Sequence, residues 1–377
     1  MAENPIVRKV GVEIECVAPY FDGSTERDIM AHAVIDSDGS IDVDSEDATG
    51  YEIKTKPLTG EAAESAITSV CASLKEAGAY VNASCGLHVH ADAKPLAISS
   101  LVRLYERNRL REGESLLYIH SNYVSSRARA WEDEAICMTV LDVIEDGGDM
   151  LPCVGPHGEG FMIELRGLSR QNRVVSPSDG SDVIPTERHN EFYTFVIRKN
   201  DIGRVRTRMF EAMRFFAVVD PILRSMIPAS RRRNNQYCRP FEKMVRSGGA
   251  APSTLREMYR GIVDRYCGIN LNALKAHGTI ENRYHNATVD ADKIIHWARL
   301  WARVVEIAIS DNAETEADAL ADVVSQKSRT DMFFALCALP AATEKHLRSR
   351  IRAFSGQDAD RVKTYITGKK QTPVCAA

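Results

Sequence analysis

Residues 10–16 read Val10-Gly11-Val12-Glu13-Ile14-Glu15-Cys16, with an apolar side chain at every even position and carboxylates at 13 and 15. Successive side chains of a strand leave opposite faces, so this alternation predicts a strand with one apolar face and one carrying both glutamates, about 7 Å apart. The same period of two recurs further along. Tyr51, Ile53 and Thr55 alternate with Glu52, Lys54 and Lys56 until Pro57 ends the run. Gly86-Leu87-His88-Val89-His90 places two imidazoles at i and i+2, and Gly278-Thr279-Ile280-Glu281-Asn282-Arg283 does the same with a carboxylate and a guanidinium. Joined in one sheet, these strands would gather Glu13, Glu15, Glu52, Glu281, His88, His90 and Arg283 on a single face. Carboxylates so close repel one another and burial raises their pKa, a conflict that a divalent cation removes. Mostly carboxylate ligands with an imidazole suit Mg²⁺ or Mn²⁺ better than structural zinc. Each dyad alone is also what any half-exposed sheet displays.

The flanking sequence fills in an α+β chain. Asp36-Ser37-Asp38-Gly39-Ser40 is turn chemistry before an acidic segment, residues 42–47, and Gly39 comes too early for a calcium-binding loop. Residues 61–77 have helical spacing, with Gly78 as the natural cap. Residues 97–147 and 203–226 carry helical patterns, 151–190 is loop-rich around a strand at 161–165, and 228–252 has the texture of a long surface loop. After the strand at 278–285, helices are expected from Asp290 to about Asp311 and onward to the end. Asn282 should point away from the charged face by strict alternation, into packing.

Composition narrows the class. Of 377 residues, 44% are hydrophobic and 27% charged, which is globular composition. Lys plus Arg is 48 against 52 Asp plus Glu, so broad electrostatic attachment to nucleic acid is disfavoured. No apolar run approaches the ~20 residues of a membrane helix, and the N-terminus lacks the apolar core of a signal peptide. Nine cysteines are scattered without a C-x-x-C, the pattern of reduced thiols in a cytoplasmic protein.

In order along the chain, Gly11-Val12-Glu13-Ile14-Glu15, Asp38-Gly39-Ser40, Tyr51 to Leu58, Asn82 to His90 and Gly278 to Arg283 together resemble the amidoligase family. That family sits in the carboxylate–amine ligase superfamily with glutamine synthetase and glutamate–cysteine ligase. Ser230-Arg231, Asn235 to Pro240 and Asn270-Leu271-Asn272 fit it too. The resemblance implies a curved antiparallel sheet with helices on its outer face. It implies a catalytic domain over residues 1–311, in which 120–225 is a mostly helical insertion or lobe, and a helical C-terminal extension over 312–377.

The resemblance also implies an ATP-dependent, Mg²⁺- or Mn²⁺-dependent ligase that joins a carboxylate to an amine through an acyl phosphate. Glu13, Glu15, Glu52, His88 and Glu281 fall where the superfamily places metal ligands, and Glu281 and Arg283 where catalysis occurs. His90, Asn82 and Arg231 fall on the nucleotide side; Arg231-Arg232-Arg233 read alone is equally a solvated loop. Glu164, in Glu164-Leu165-Arg166, is a candidate for a further carboxylate. Small-molecule or peptide acids and amines are the implied substrates, with neither membrane nor nucleic acid as partner. A guanido-kinase-like phosphotransferase, a non-catalytic binding protein on the same fold, and a hydrolase using His88 and His90 are the alternatives.

Overall fold

The structure, a computed structural model, describes residues 5–97, 100–105, 110–120, 150–163, 174–175, 182–183, 192–232, 235–241 and 266–355. Glu164, Arg166, Arg233 and the segment 356–377 of the expected extension lie outside the described residues.

The chain is α+β, and the four strands read from the sequence lie side by side. β1 (Val10–Pro19) pairs antiparallel with β3 (Ala48–Thr55) on one side and β4 (Leu87–Asp92) on the other. β13 (Thr279–Asn282) pairs with β4, and β2 (Ala33–Ser37) and β12 (Ile269–Asn270) form the two edges. The order β12-β13-β4-β1-β3-β2 is antiparallel throughout.

Alternation then decides what each face does. Val12, Ile14, Ile53, Leu87, Val89 and Ile280 are buried in the main core, and helices α2 (Gly60–Glu76) and α6 (Ala291–Ala308) join them there. At full burial, side chains of this size contribute about 1.5–3 kcal/mol each. Trp301 Nε1 donates to Ile280 O at 3.0 Å and Trp297 Nε1 to Asn282 Oδ1 at 3.2 Å, which anchors α6 under β13. Asn282 points into this packing, as its place in the alternation requires. Asp290 caps α6 by accepting from Asp292 N and Lys293 N.

A second, mixed sheet has the order β5-β11-β6-β8-β7-β10-β9. Its strands are β5 (Val102–Leu104), β6 (Ser115–His120), β7 (Met150–Gly155), β8 (Gly158–Ile163), β9 (Val174–Val175), β10 (Asp182–Val183) and β11 (Phe192–Ile197). Strands β5 and β6 correct the expectation of helix over 97–147 where they lie, whereas the helix expected at 203–226 is present. Leu116, Leu117, Tyr118 and Ile119 are all buried, so β6 is covered on both faces and its sequence carries no alternation to read. Helix is confined there to a 3₁₀ turn at Lys199–Asp201 and α3 (Ile202–Ser225).

The surface loop expected at 228–252 is also corrected in its described part. Ala229–Arg232 form a helical turn, α4, and Ala229, Arg231, Cys238 and Phe241 are buried. The intervening α1 (Gly23–Met30) and α5 (Ala273–His277) are short. Helices α7 (Ala313–Asp322), α8 (Gln326–Cys337) and α9 (Ala341–Ser355) follow α6, and Leu320, Phe333, Phe334 and Leu347 join the main core. No helix among the described residues is long and apolar enough to cross a membrane.

Candidate active site

Strand register sets out the polar face in three rows. Asn270, Glu281 and His90 stand opposite one another across β12, β13 and β4. His88, Glu13 and Lys54 make the next row across β4, β1 and β3, and Glu15, Glu52 and Asp36 the third. Paired positions in neighbouring strands bring side chains within about 5 Å, so rows from separate parts of the sequence become one cluster.

His88 lies at its centre and is 3% exposed. Its Nδ1 is 3.1 Å from Glu13 Oε2 and 3.5 Å from Glu281 Oε1, while Nε2 faces Glu15 Oε1 at 3.5 Å. His90 Nδ1 bonds Thr279 Oγ1 at 2.9 Å. Its Nε2 stands 3.2 Å from Glu13 Oε1 without the alignment of a hydrogen bond, and so is buried with no settled partner. Glu281 accepts from Asn270 Nδ2 and from Arg283 Nη1, both at 2.6 Å. Glu15 accepts from the backbone N–H of Gly86 at 2.5 Å.

The charges press on one another as the sequence implied. Burial alone would raise the Glu13 carboxyl, yet the hydrogen bond to His88 and the close imidazoles of His88 and His90 outweigh it and hold the group well below the carboxylate range. Burial works against the charged form of His90, but Glu13 and Glu281 raise its pKa on balance. Glu52 moves up, first by burial and then by the charge of Glu13, with Lys54 only partly opposing.

Two sets of side chains have metal-ligand spacing. One ligand atom each from Glu13, His88 and Glu281, and likewise from Glu15, Glu52 and His88, lie within 4.8 Å of one another. Hard oxygen donors with one imidazole fit Mg²⁺ or Mn²⁺. The backbone leaves space for them: a Cβ on Gly86 would stand 2.9 Å from His88 Nε2, 3.2 Å from Arg231 Nη2 and 3.3 Å from Glu15 Oε2. Because a neutral imidazole has a single lone-pair nitrogen, His88 can ligate in one set while donating its N–H to a carboxylate of the other.

The remaining expected residues divide. Arg283 enters the cluster through Glu281, and its Nε reaches Tyr237 O at 3.4 Å. Arg231 is 6% exposed, not a solvated loop residue; its Nη2 donates to Arg283 O at 2.8 Å, and the same atom flanks the Gly86 cradle. Asn82 is different. Its Nδ2 donates to Asp42 O, and its Oδ1 accepts from Ser84 N and Ser84 Oγ, so its amide is committed to the turn before Gly86. These bonds shape the turn that delivers Gly86 to Glu15.

Sequence reading left Asn270, Thr279, Gly86 and Lys54 out of the site. Asn270 had a signal in its family segment, and Lys54 in sharing the face of Glu52; nothing in the sequence marked Thr279 as the partner of His90.

The family model described as "Putative amidoligase enzyme" aligns with residues 33–110 and 205–305. Two segments of the chain match the amidoligase family. By that description the class of activity is a ligase. The two amidoligase segments contain Glu52, His88, His90, Arg231, Glu281 and Arg283, while Glu13 and Glu15 precede the first. Neither the curated proteins nor the solved structures searched gave a match.

Proposed function

We propose that this chain is an ATP-dependent carboxylate–amine ligase on a glutamine synthetase-like fold, forming an amide or peptide bond on small-molecule or peptide substrates. The observation that carries the reading is the convergence of Glu13, Glu15, Glu52, Glu281, His88 and His90 with Arg283 on one face of the antiparallel sheet. A carboxylate is a poor electrophile. In this reading its oxygen attacks the γ-phosphorus of ATP and ADP leaves; the amine then attacks the acyl carbon, phosphate leaves, and the amine gives up a proton.

Mg²⁺ or Mn²⁺ would supply charge neutralisation on the phosphate oxygens. Glu13, His88 and Glu281 would hold one ion, and Glu15 and Glu52 a second. Arg283 aims a planar donor at the transferring phosphoryl group, held in place by Arg231 on its carbonyl. His90, whose Nε2 has no settled partner, would serve the nucleotide phosphates together with Arg231 and Asn82. We assign catalysis to residues 1–311, with 312–377 as an extension, and a reducing cytoplasmic setting in keeping with seven buried free cysteines among the described residues.

A phosphotransferase would release ADP with an acid or a guanidine alone; a binding protein would release nothing; a hydrolase would need no nucleotide. The test is phosphate release over a matrix of acids and amines with Mg-ATP. The ligase reading expects release that requires acid and amine together, and release independent of the amine would refute it.

A further inference from the structure

We infer that Lys54 is a resident cation of the Glu15–Glu52–His88 set, and that Asp36 is the carboxylate onto which it withdraws when a divalent ion takes Glu52. This rests on the metal-dependent reading above and extends it to a control on the second ion.

Register places Lys54 opposite Glu13, yet its ammonium goes elsewhere. Nζ lies 2.7 Å from Glu52 Oε2 and 3.0 Å from Asp36 Oδ2, toward the edge strand β2. Glu52 therefore belongs to two ionic sets at once, the Lys54 clasp and the metal-spaced group with Glu15 and His88. An ammonium and a divalent cation draw on the same carboxylate lone pairs and repel one another, so they compete for Glu52.

The exit is built in. Asp36 is the strand neighbour of Glu52 on the solvent side, and its side chain is 50% exposed, as that of Lys54 is 40%. An ammonium that lets go of Glu52 thus keeps a carboxylate partner and gains water. Arg283 stands on Glu281 of the other set, but among the described residues Glu281 is the one carboxylate it pairs with, and its Nε is tied to Tyr237 O. The two sets therefore differ: one has a cation with somewhere to go. Lys54 keeps the polar face neutralised while the metal is absent and sets the affinity of the second ion below that of the first.

Mn²⁺ alone is the probe, followed by electron paramagnetic resonance and calorimetry at low ionic strength, with melting temperatures as a check on folding. Wild type is expected to bind in two steps. Lys54→Met should tighten the weaker step by about fivefold, the scale of one unit charge removed near a surface site, and Asp36→Asn should weaken it by about threefold. In a Glu52→Gln background, Lys54→Met should change nothing, because the contested carboxylate is gone.

Lys56→Met removes an equal charge from a lysine whose Nζ is bonded to Ala31 O, and should leave the step in place. A weaker step that is unchanged or loosened in Lys54→Met, a gain that survives Glu52→Gln, or an equal gain from Lys56→Met would each overturn the inference while leaving the ligase reading standing. Wild type that takes up no Mn²⁺ at millimolar concentration would bring down the metal-dependent reading, and this inference with it.

Discussion

Adding one methyl group at position 86 probes the site without touching its charge. The Cβ of Gly86→Ala would meet His88 Nε2 at 2.9 Å, Arg231 Nη2 at 3.2 Å and Glu15 Oε2 at 3.3 Å, all closer than ordinary van der Waals contact. His88, Glu15 and Arg231 are each buried, so none can swing into water to make room. His88 must tilt by a few tenths of an ångström, and Glu15 must loosen its hold on the residue 86 N–H. Overpacking of this kind costs about 1–3 kcal/mol of stability.

Displacing the partners that orient a ligand set typically weakens metal binding by roughly 10–100-fold. The expected result is therefore a lowered melting temperature together with Mn²⁺ affinity down by at least tenfold in calorimetry. Gly39→Ala is the control, since a Cβ there meets nothing within 4 Å and should leave both values unchanged. A Gly86→Ala protein that melts and binds Mn²⁺ like wild type would refute the claim that the cradle around residue 86 is the metal site.

Glu281→Gln should lose Mn²⁺ binding and turnover, and should melt somewhat lower, because Asn270 and Arg283 donate to different oxygens and the amide turns one of these into an NH2 donor, stranding one partner at a cost of about 1–3 kcal/mol, partly offset by relieved carboxylate repulsion. Calorimetry beside thermal melting checks both halves. Arg283→Lys should keep Mn²⁺ binding and lose phosphate release, since a point charge does not reproduce the planar fork; retained turnover would count against a role at the phosphoryl group. Asn282→Leu should leave metal binding near normal where the protein folds but lower its melting temperature, because Trp297 Nε1 and Tyr284 N lose their acceptor at about 1–3 kcal/mol each. Acid should weaken the fold below about pH 6.5: burial, then the Arg350 charge, pushes His285 well below its ordinary value, and burial with His296 brings His346 to about 4, so the unfolded chain takes up protons first. Melting temperatures at pH 7.5 and 5.5 test this, and His346→Gln should flatten the acidic limb.

What the sequence made legible follows from where alternation was visible. β1, β3, β4 and β13 each have one apolar and one charged face, so both their strand nature and the residues sharing the polar face could be read directly, down to the inward turn of Asn282. β6 has no such contrast, because Leu116 to Ile119 are buried on both sides, and a helix was the natural mistake. Partner choice within the cluster was not legible. Register puts Lys54 opposite Glu13, but the pull of Asp36 and Glu52 takes its ammonium along the strand instead, and only the assembled third row makes that outcome visible. Arg231 looked like part of a solvated basic run because the groups its guanidinium meets, Arg283 O and the backbone at Gly86, come from segments distant in sequence.

In the proposed function, the charged face of the antiparallel sheet holds divalent metal and, through it, ATP for ligase chemistry. Calorimetry of ATP binding in the presence of Mg²⁺, and again with EDTA, tests it most directly. Saturable Mg-ATP binding that disappears on chelation and is lost in Glu281→Gln is the expected result. ATP affinity that is the same with and without the metal, or unchanged by Glu281→Gln, would contradict it.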